Sequence, residues 1–170
     1  MKSELIGKLE RNRDELFKAL EDLSETQITT LRVLDAWTIK DLVGHLAFWE
    51  RVIHTHVRES YTEGRPRLVK TDESDDDVNA RQASKRHVWN WARVRAEFEN
   101  ARGALIERVK GLSESELSFQ VPSPWRGEQR FYSVAQMIEE DAIDHCREHI
   151  EQIEQWKRHP TASEQSHAKP

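Results

Sequence analysis

The chain carries the same amphipathic pattern twice. Laid on the second half, Leu5 meets Val94, Leu9 meets Phe98, Leu16 meets Leu105, Phe17 meets Ile106 and Leu20 meets Val109. Leu23-Ser24-Glu25 then meets Leu112-Ser113-Glu114, and even Arg13 meets Arg102. After a short insertion Trp37 corresponds loosely to Trp125, and Thr38-Ile39 to Ser133-Val134. Each half reads as helix, short turn, helix, with apolar residues at helical spacing. Neither hairpin can bury its apolar face alone, so the two should close on each other as an all-α four-helix bundle.

The helix ends are signalled by capping residues and by Gly and Pro. Helix 1 is expected over 3–23, and Ser24-Glu25-Thr26-Gln27 reads as a capping box on a short turn. Helix 2 starts at Thr38, with Asp41 in the box position, and runs to about Ser60. The polar stretch 61–83, with Gly64, Pro66 and the acidic run Asp72–Asp77, is the long crossover between the two hairpins. That run lacks EF-hand spacing, which leaves a solvated loop or the first turn of the next helix. Helix 3 is expected over 84–110, ended by Gly111, and Ser113-x-x-Glu116 caps another turn. A loop holding Pro122, Pro124 and Trp125 leads to helix 4, which runs from Ser133 to Trp156 behind an S-x-x-Q box and stops before Pro160. Residues 1–160 read as one domain and 161–170 as a disordered polar tail.

Histidines break the repeat. On helix 4, Val134, Ile138, Ala142, Ile153 and Trp156 gather on one side, and His145 and His149 fall within that stripe. Their i, i+4 spacing sets the Cβ atoms about 5–6 Å apart, which suits chelation of one ion. With 8 His in the chain, some such pairs arise by chance, and a core histidine is often hydrogen-bonded to a neighbour. Two on the buried stripe, with Asp141 a turn earlier and Gln152 following, point further toward a metal. Helix 2 offers His45 at the edge of its inner face, one turn before Trp49. Three imidazoles with one side open is the layout of a catalytic site, where four closed ligands would indicate a structural ion. Such ligands suit zinc, nickel, copper or ferrous iron.

Composition narrows the alternatives. Lys and Arg number 26 against 31 Asp and Glu, giving a net charge of −5 without a basic stripe, which argues against nucleic acid as a partner. No apolar run approaches the length of a membrane span, and the N-terminus lacks the apolar core of a signal peptide. The single cysteine, Cys146, excludes an internal disulfide and fits a reducing cytoplasm.

The segment WTIKDLVGHLAFWE, the H-x-x-x-H of His145 and His149 followed by Gln152 and Ile153, and the turns LSETQI and LSESEL resemble the DinB-like (damage-inducible) metalloenzyme superfamily. The resemblance spans about residues 4–158, and its specific parts are the two histidine segments. It implies a four-helix bundle, often up-down-down-up, with one His from helix 2 and two from helix 4 on a divalent metal. Here those are His45, His145 and His149. It also implies the activities known in that group, thiol-dependent isomerases and S-transferases using mycothiol or bacillithiol, and hydrolase-like resistance proteins. Helix 4 departs from the commoner H-x-x-H-H-R-G-Q pattern by carrying Arg147-Glu148 and Ile150-Glu151 around His149. The triad is intact, and no particular substrate follows.

The expectation is therefore a divalent-metal-binding bundle acting on a small electrophile, as a thiol S-transferase or hydrolase, with zinc, nickel or iron and a low-molecular-weight thiol as candidate cofactors. A non-enzymatic binding bundle and a structural dimer are the competing readings, and the resemblance with 6 Trp is compatible with a homodimer. Asp141, or else Glu50, is the candidate base or orienting group. Trp49, Trp91 and Arg95 are candidate pocket residues, with Trp89 and Trp125 as further walls. Arg95 stands in the repeat where Ile6 does, which would aim it inward at an anionic substrate; the favoured alternative is a surface Arg whose stem lies along the helix with its head in solvent. Cys146 reads as buried and inert, His54, His56 and His87 as surface residues, and Arg13 and Arg102 as structural.

Overall fold

The computed structural model describes residues 1–34, 36–62, 74–123 and 130–159, with side chains omitted at 60–62. Helix α1 (Lys2–Leu20) is followed by the short α2 (Glu25–Thr30) and a hairpin of β1 (Arg32–Leu34) and β2 (Trp37–Thr38). The long α3 (Ile39–Thr62) comes next, then α4 (Asp75–Arg86) and α5 (Trp91–Gly111). The second half repeats the theme with α6 (Glu114–Leu117) and a hairpin of β3 (Gln120–Pro122) and β4 (Phe131–Ser133). The last bundle helix is composite: α7 (Val134–Ile138), a π-helical segment (Glu139–Asp144) and α8 (His145–Arg158). With α1, α3 and α5 it forms a four-helix bundle.

Reciprocal capping boxes are present at Ser24/Gln27, Ser113/Glu116 and Ser133/Gln136. Thr38 and Asp41 make the same exchange, each side chain accepting from the other's backbone N–H. Both hairpins escape the sequence reading because strands of two or three residues are too short to show alternation. Helix 3 is also divided. Asn90 accepts from the Arg93 N–H and starts α5, so α4 is a separate helix. The described part of the acidic run, Ser74 to Asp77, is its cap and first turn, where carboxylates meet the positive end of the helix dipole. The expected tail 161–170, and Pro124 and Trp125, lie outside the described residues.

The repeat positions Leu5, Leu9, Leu16, Leu20, Val94, Phe98, Leu105 and Val109 are all buried. They fall into two apolar clusters, one around Leu9, Ile53, Leu105 and Ile138, the other around Leu16, Leu46, Phe98 and Ile153. A polar layer lies between them. Arg102, 0% exposed, donates to both Glu50 carboxylate oxygens, to the Leu9 carbonyl (2.9 Å) and to Asn12 Oδ1 (3.1 Å). Burial works against the guanidinium charge, and the Glu50 carboxylate more than offsets this and holds it above its ordinary value. Arg13, the repeat partner of Arg102, is half exposed on Asp14, so the symmetry fails at this layer. His56 is also corrected: it is 2% exposed, with Nε2 on the Pro122 carbonyl (3.2 Å), because β3 covers that face of α3.

Candidate metal centre

His45 stands two turns into α3, directly after Gly44. A Cβ on Gly44 would lie 2.6 Å from Cδ of Arg86. Arg86 is buried and held by Glu97 through Nε (2.6 Å) and Nη2 (2.8 Å). A larger residue at 44 would displace the Arg86 side chain that ties α4 to α5. The close approach brings Asn79 of α4 onto the His45 ring, 3.1 Å from its Nδ1.

His145 and His149 come from the first turns of α8, and the π segment before them matters. The His145 backbone N–H bonds the carbonyls of Glu140 and Ala142 and passes over that of Asp141. The Asp141 carbonyl instead receives the His145 ring. A π turn thus turns a helix carbonyl toward a side chain, a role such bulges often have at functional sites.

The three rings meet. His45 Nε2 lies 2.9 Å and His149 Nε2 3.1 Å from His145 Nε2. Their outer nitrogens are each engaged. The Trp49 indole N–H lies 2.9 Å from Asn79 Oδ1 and 3.1 Å from His45 Nδ1; donated to the nearer oxygen, it leaves Asn79 Oδ1 also accepting from His45 Nδ1–H (3.1 Å). His149 Nδ1 donates to Gln152 Oε1 (2.7 Å), and the His145 ring donates to the Asp141 carbonyl. With the proton on Nδ1 of each ring, the form a bound cation would require, the three Nε2 lone pairs face one another. That arrangement is repulsive until a cation lies between them, and it is how second-sphere groups prepare histidine ligands. The ligating atoms of His45, His145 and His149 lie within 4.8 Å of one another, so the group can hold a metal ion.

Protonation of the rings is disfavoured. Burial, reinforced by the other two rings, pushes His45 down to about 2, and burial with His149 pushes His145 to about 4. Burial lowers His149 as well. Unfolded, each would titrate near 6.5. Below that pH the unfolded chain binds more protons than the folded one, so stability falls as pH drops. The slope is up to about 1.4 kcal/mol per pH unit for each ring. Urea unfolding of the metal-free protein should therefore show a loss of about 2–4 kcal/mol between pH 7 and 5.5. His45→Ala should make that loss smaller.

His45 and His145 line a recess of about 240 Å³ whose rim carries Asp75, Glu140 and Asp141, with Trp49 in its wall. The Asp141 carboxylate accepts from the Tyr132 hydroxyl (2.7 Å), while its backbone carbonyl orients His145. Glu50 is drawn instead into the buried pair with Arg102. Trp91 and Arg95 are not in this recess. They line a groove between α1 and α5, where the Arg95 guanidinium lies 4.4 Å from the Phe17 ring and pairs with Glu99. Trp89 lines another groove, under the Arg93 guanidinium. Cys146 is buried, and burial pushes its thiol up to about 12. Sequence reasoning missed Asn79, which sits in a polar run with no periodic signal, and the Asp141 carbonyl, which no side-chain pattern reveals.

A family model for the DinB superfamily matches residues 8–153. The chain belongs to the DinB superfamily. Solved structures of similar fold include YfiT from Bacillus subtilis, titled a probable metal-dependent hydrolase with an unusual four-helix bundle topology. It is 18% identical, with a TM-score of 0.73 over 92% of this chain and 86% of that one. A mycothiol-dependent maleylpyruvate isomerase is 14% identical (TM-score 0.73), covering 90% of this chain. The chain spans 60% of that enzyme's length. The colibactin self-resistance protein ClbS, solved with a double-stranded DNA, is 14% identical (TM-score 0.74), covering 94% and 97%. No curated protein matches the chain in sequence. Among the described residues of this DinB superfamily member, no helix is long and apolar enough to cross a membrane.

Proposed function

We propose that the protein is a divalent-metal-dependent enzyme acting on a small electrophilic molecule, by thiol transfer or by hydrolysis. The observation that carries this reading is the convergence of ring nitrogens from His45, His145 and His149 beside a recess that His45 and His145 line. His45, His145 and His149 would hold the ion, leaving the recess side for water, thiol or substrate. The chemistry a divalent cation would supply there is a water or thiol made nucleophilic at neutral pH. Asp141 stands on the same rim with one carboxylate oxygen fixed by the Tyr132 hydroxyl. It is the group placed to take up the proton released there. Trp49 is anchored through its indole N–H and closes one wall against water. The metal-dependent and mycothiol-dependent descriptions of the structural neighbours support a metal and a thiol without choosing a substrate.

The test is turnover of 1-chloro-2,4-dinitrobenzene and of p-nitrophenyl acetate by zinc- or nickel-loaded protein, with and without a low-molecular-weight thiol. Metal-dependent turnover that falls at least about a hundredfold in Asp141→Asn supports the reading, general acid–base groups contributing about 10²–10⁴-fold. Binding of metal without turnover of either class of compound would favour a sequestering protein instead.

A further inference from the structure

We infer that Arg102 and Glu50 are positioning residues of the metal centre: their buried layer fixes the register of α3, which brings His45, against α8, which brings His145 and His149. This rests on the metal-centre reading. Arg102 projects from α5 and meets the other bundle helices at one level. On α3 it donates through Nε to both Glu50 carboxylate oxygens (2.9 Å each) and through Nη2 to Oε1. On α1 its Nη1 reaches the Leu9 carbonyl (2.9 Å) and Asn12 Oδ1 (3.1 Å). On α8 the Cys146 sulfur lies beside the same guanidinium. Arg102 and Cys146 are 0% exposed and Glu50 is 1% exposed.

The layer and the site share their helices. Cys146 directly follows His145, and Glu50 stands about one and a half turns after His45. Turning or sliding α3 or α8 therefore moves a layer residue and a ligand together. Apolar packing alone sets this register weakly, because the hydrophobic effect is non-directional. A slide by one residue is about 1.5 Å, whereas metal–ligand distances tolerate about ±0.2 Å. The fork of a guanidinium on a carboxylate is directional and is lost over such a shift. Stability does not account for the layer, since apolar residues of similar volume in place of a buried ion pair are often neutral or stabilising. The repeat points the same way. Arg13, at the position equivalent to Arg102, is partly exposed on Asp14, so the layer departs from the symmetry of the hairpins as the histidines do.

The experiment reads the cobalt(II) affinity of the full-length protein from the visible spectrum in competition with a chelator, alongside urea unfolding of the metal-free form. Glu50→Leu/Arg102→Met should bind cobalt at least about tenfold more weakly than wild type, the lower end of what outer partners of metal ligands contribute. Its unfolding midpoint should return close to the wild-type value. Val109→Ala, a cavity in the apolar cluster on the other side of the layer, should lower the midpoint and leave cobalt affinity within about twofold. Glu50→Asp keeps the charge pair and shortens its reach by one methylene, so it decides the matter should the double variant not fold. Its cobalt affinity is expected to be several-fold weaker. Wild-type affinity in the folded double variant or in Glu50→Asp, or an equal loss in Val109→Ala, overturns the inference and leaves the metal centre standing. Absence of any cobalt band in wild-type protein overturns both.

Discussion

In His145→Ala, tight zinc binding is expected to disappear, with affinity lower by more than about a hundredfold, because loss of a supporting hydrogen bond alone costs about 10–100-fold. His145 is the ring whose Nε2 faces both of the others, at 2.9 and 3.1 Å, so its removal leaves two donors on separate helices. Asn79→Ala keeps all three rings and removes only the acceptor on His45 Nδ1, so it should cost the smaller, roughly 10–100-fold, amount. The metal-free fold should change little in either case. The Asp141 carbonyl loses a partner in the first variant, worth about 1 kcal/mol, and the clash of three lone pairs is relieved. Thermal unfolding separates the effects. Zinc at about a thousand times its dissociation constant stabilises the wild type by about 4 kcal/mol. That corresponds to a rise of about 10 °C for a chain of this size. The rise should be absent in His145→Ala.

The largest effect on stability is expected at the polar layer. Glu50→Gln or Arg102→Met alone should cost about 3–5 kcal/mol, because each strands a buried charge. Arg102 is 0% exposed and bridges α1, α3 and α5 through Leu9, Asn12 and Glu50. Glu50→Leu/Arg102→Met should recover most of that loss, since apolar replacement of both partners is often neutral or stabilising. Denaturant unfolding of the two single variants and the double one forms the cycle, and additive losses would contradict the pairing. Asn12 limits the recovery, as it loses a donor partner in the double variant.

The bundle was legible because its evidence is periodic and local. Leu9 and Phe98, or Leu20 and Val109, occupy equivalent buried positions, and burial of an amphipathic face leaves few other arrangements. Capping boxes are equally readable, being side-chain chemistry at fixed spacing: Ser24 with Gln27, Ser133 with Gln136. Three histidines could be picked out because polar rings at buried stripe positions demand partners. Other features arise from tertiary contact. The split at Asn90 hides within a continuous helical pattern, and the π turn at Glu139–Asp144 shifts phase by an amount that alternating three- and four-residue steps already tolerate. Arg95 misleads because the repeat predicts its position on the helix but not what α1 presents to it, which is Phe17. Glu50 and Arg102 are each unremarkable in sequence, and only packing brings them together.

A single ion held by three imidazole nitrogens has a spectroscopic signature of its own. X-ray absorption on tag-free protein loaded with one equivalent of zinc measures this directly. The expected first shell has three nitrogen ligands at about 2.0–2.1 Å with the outer-shell scattering of imidazole, lost in His145→Ala. A shell of oxygen ligands alone, or the same spectrum in His145→Ala as in wild type, would contradict it.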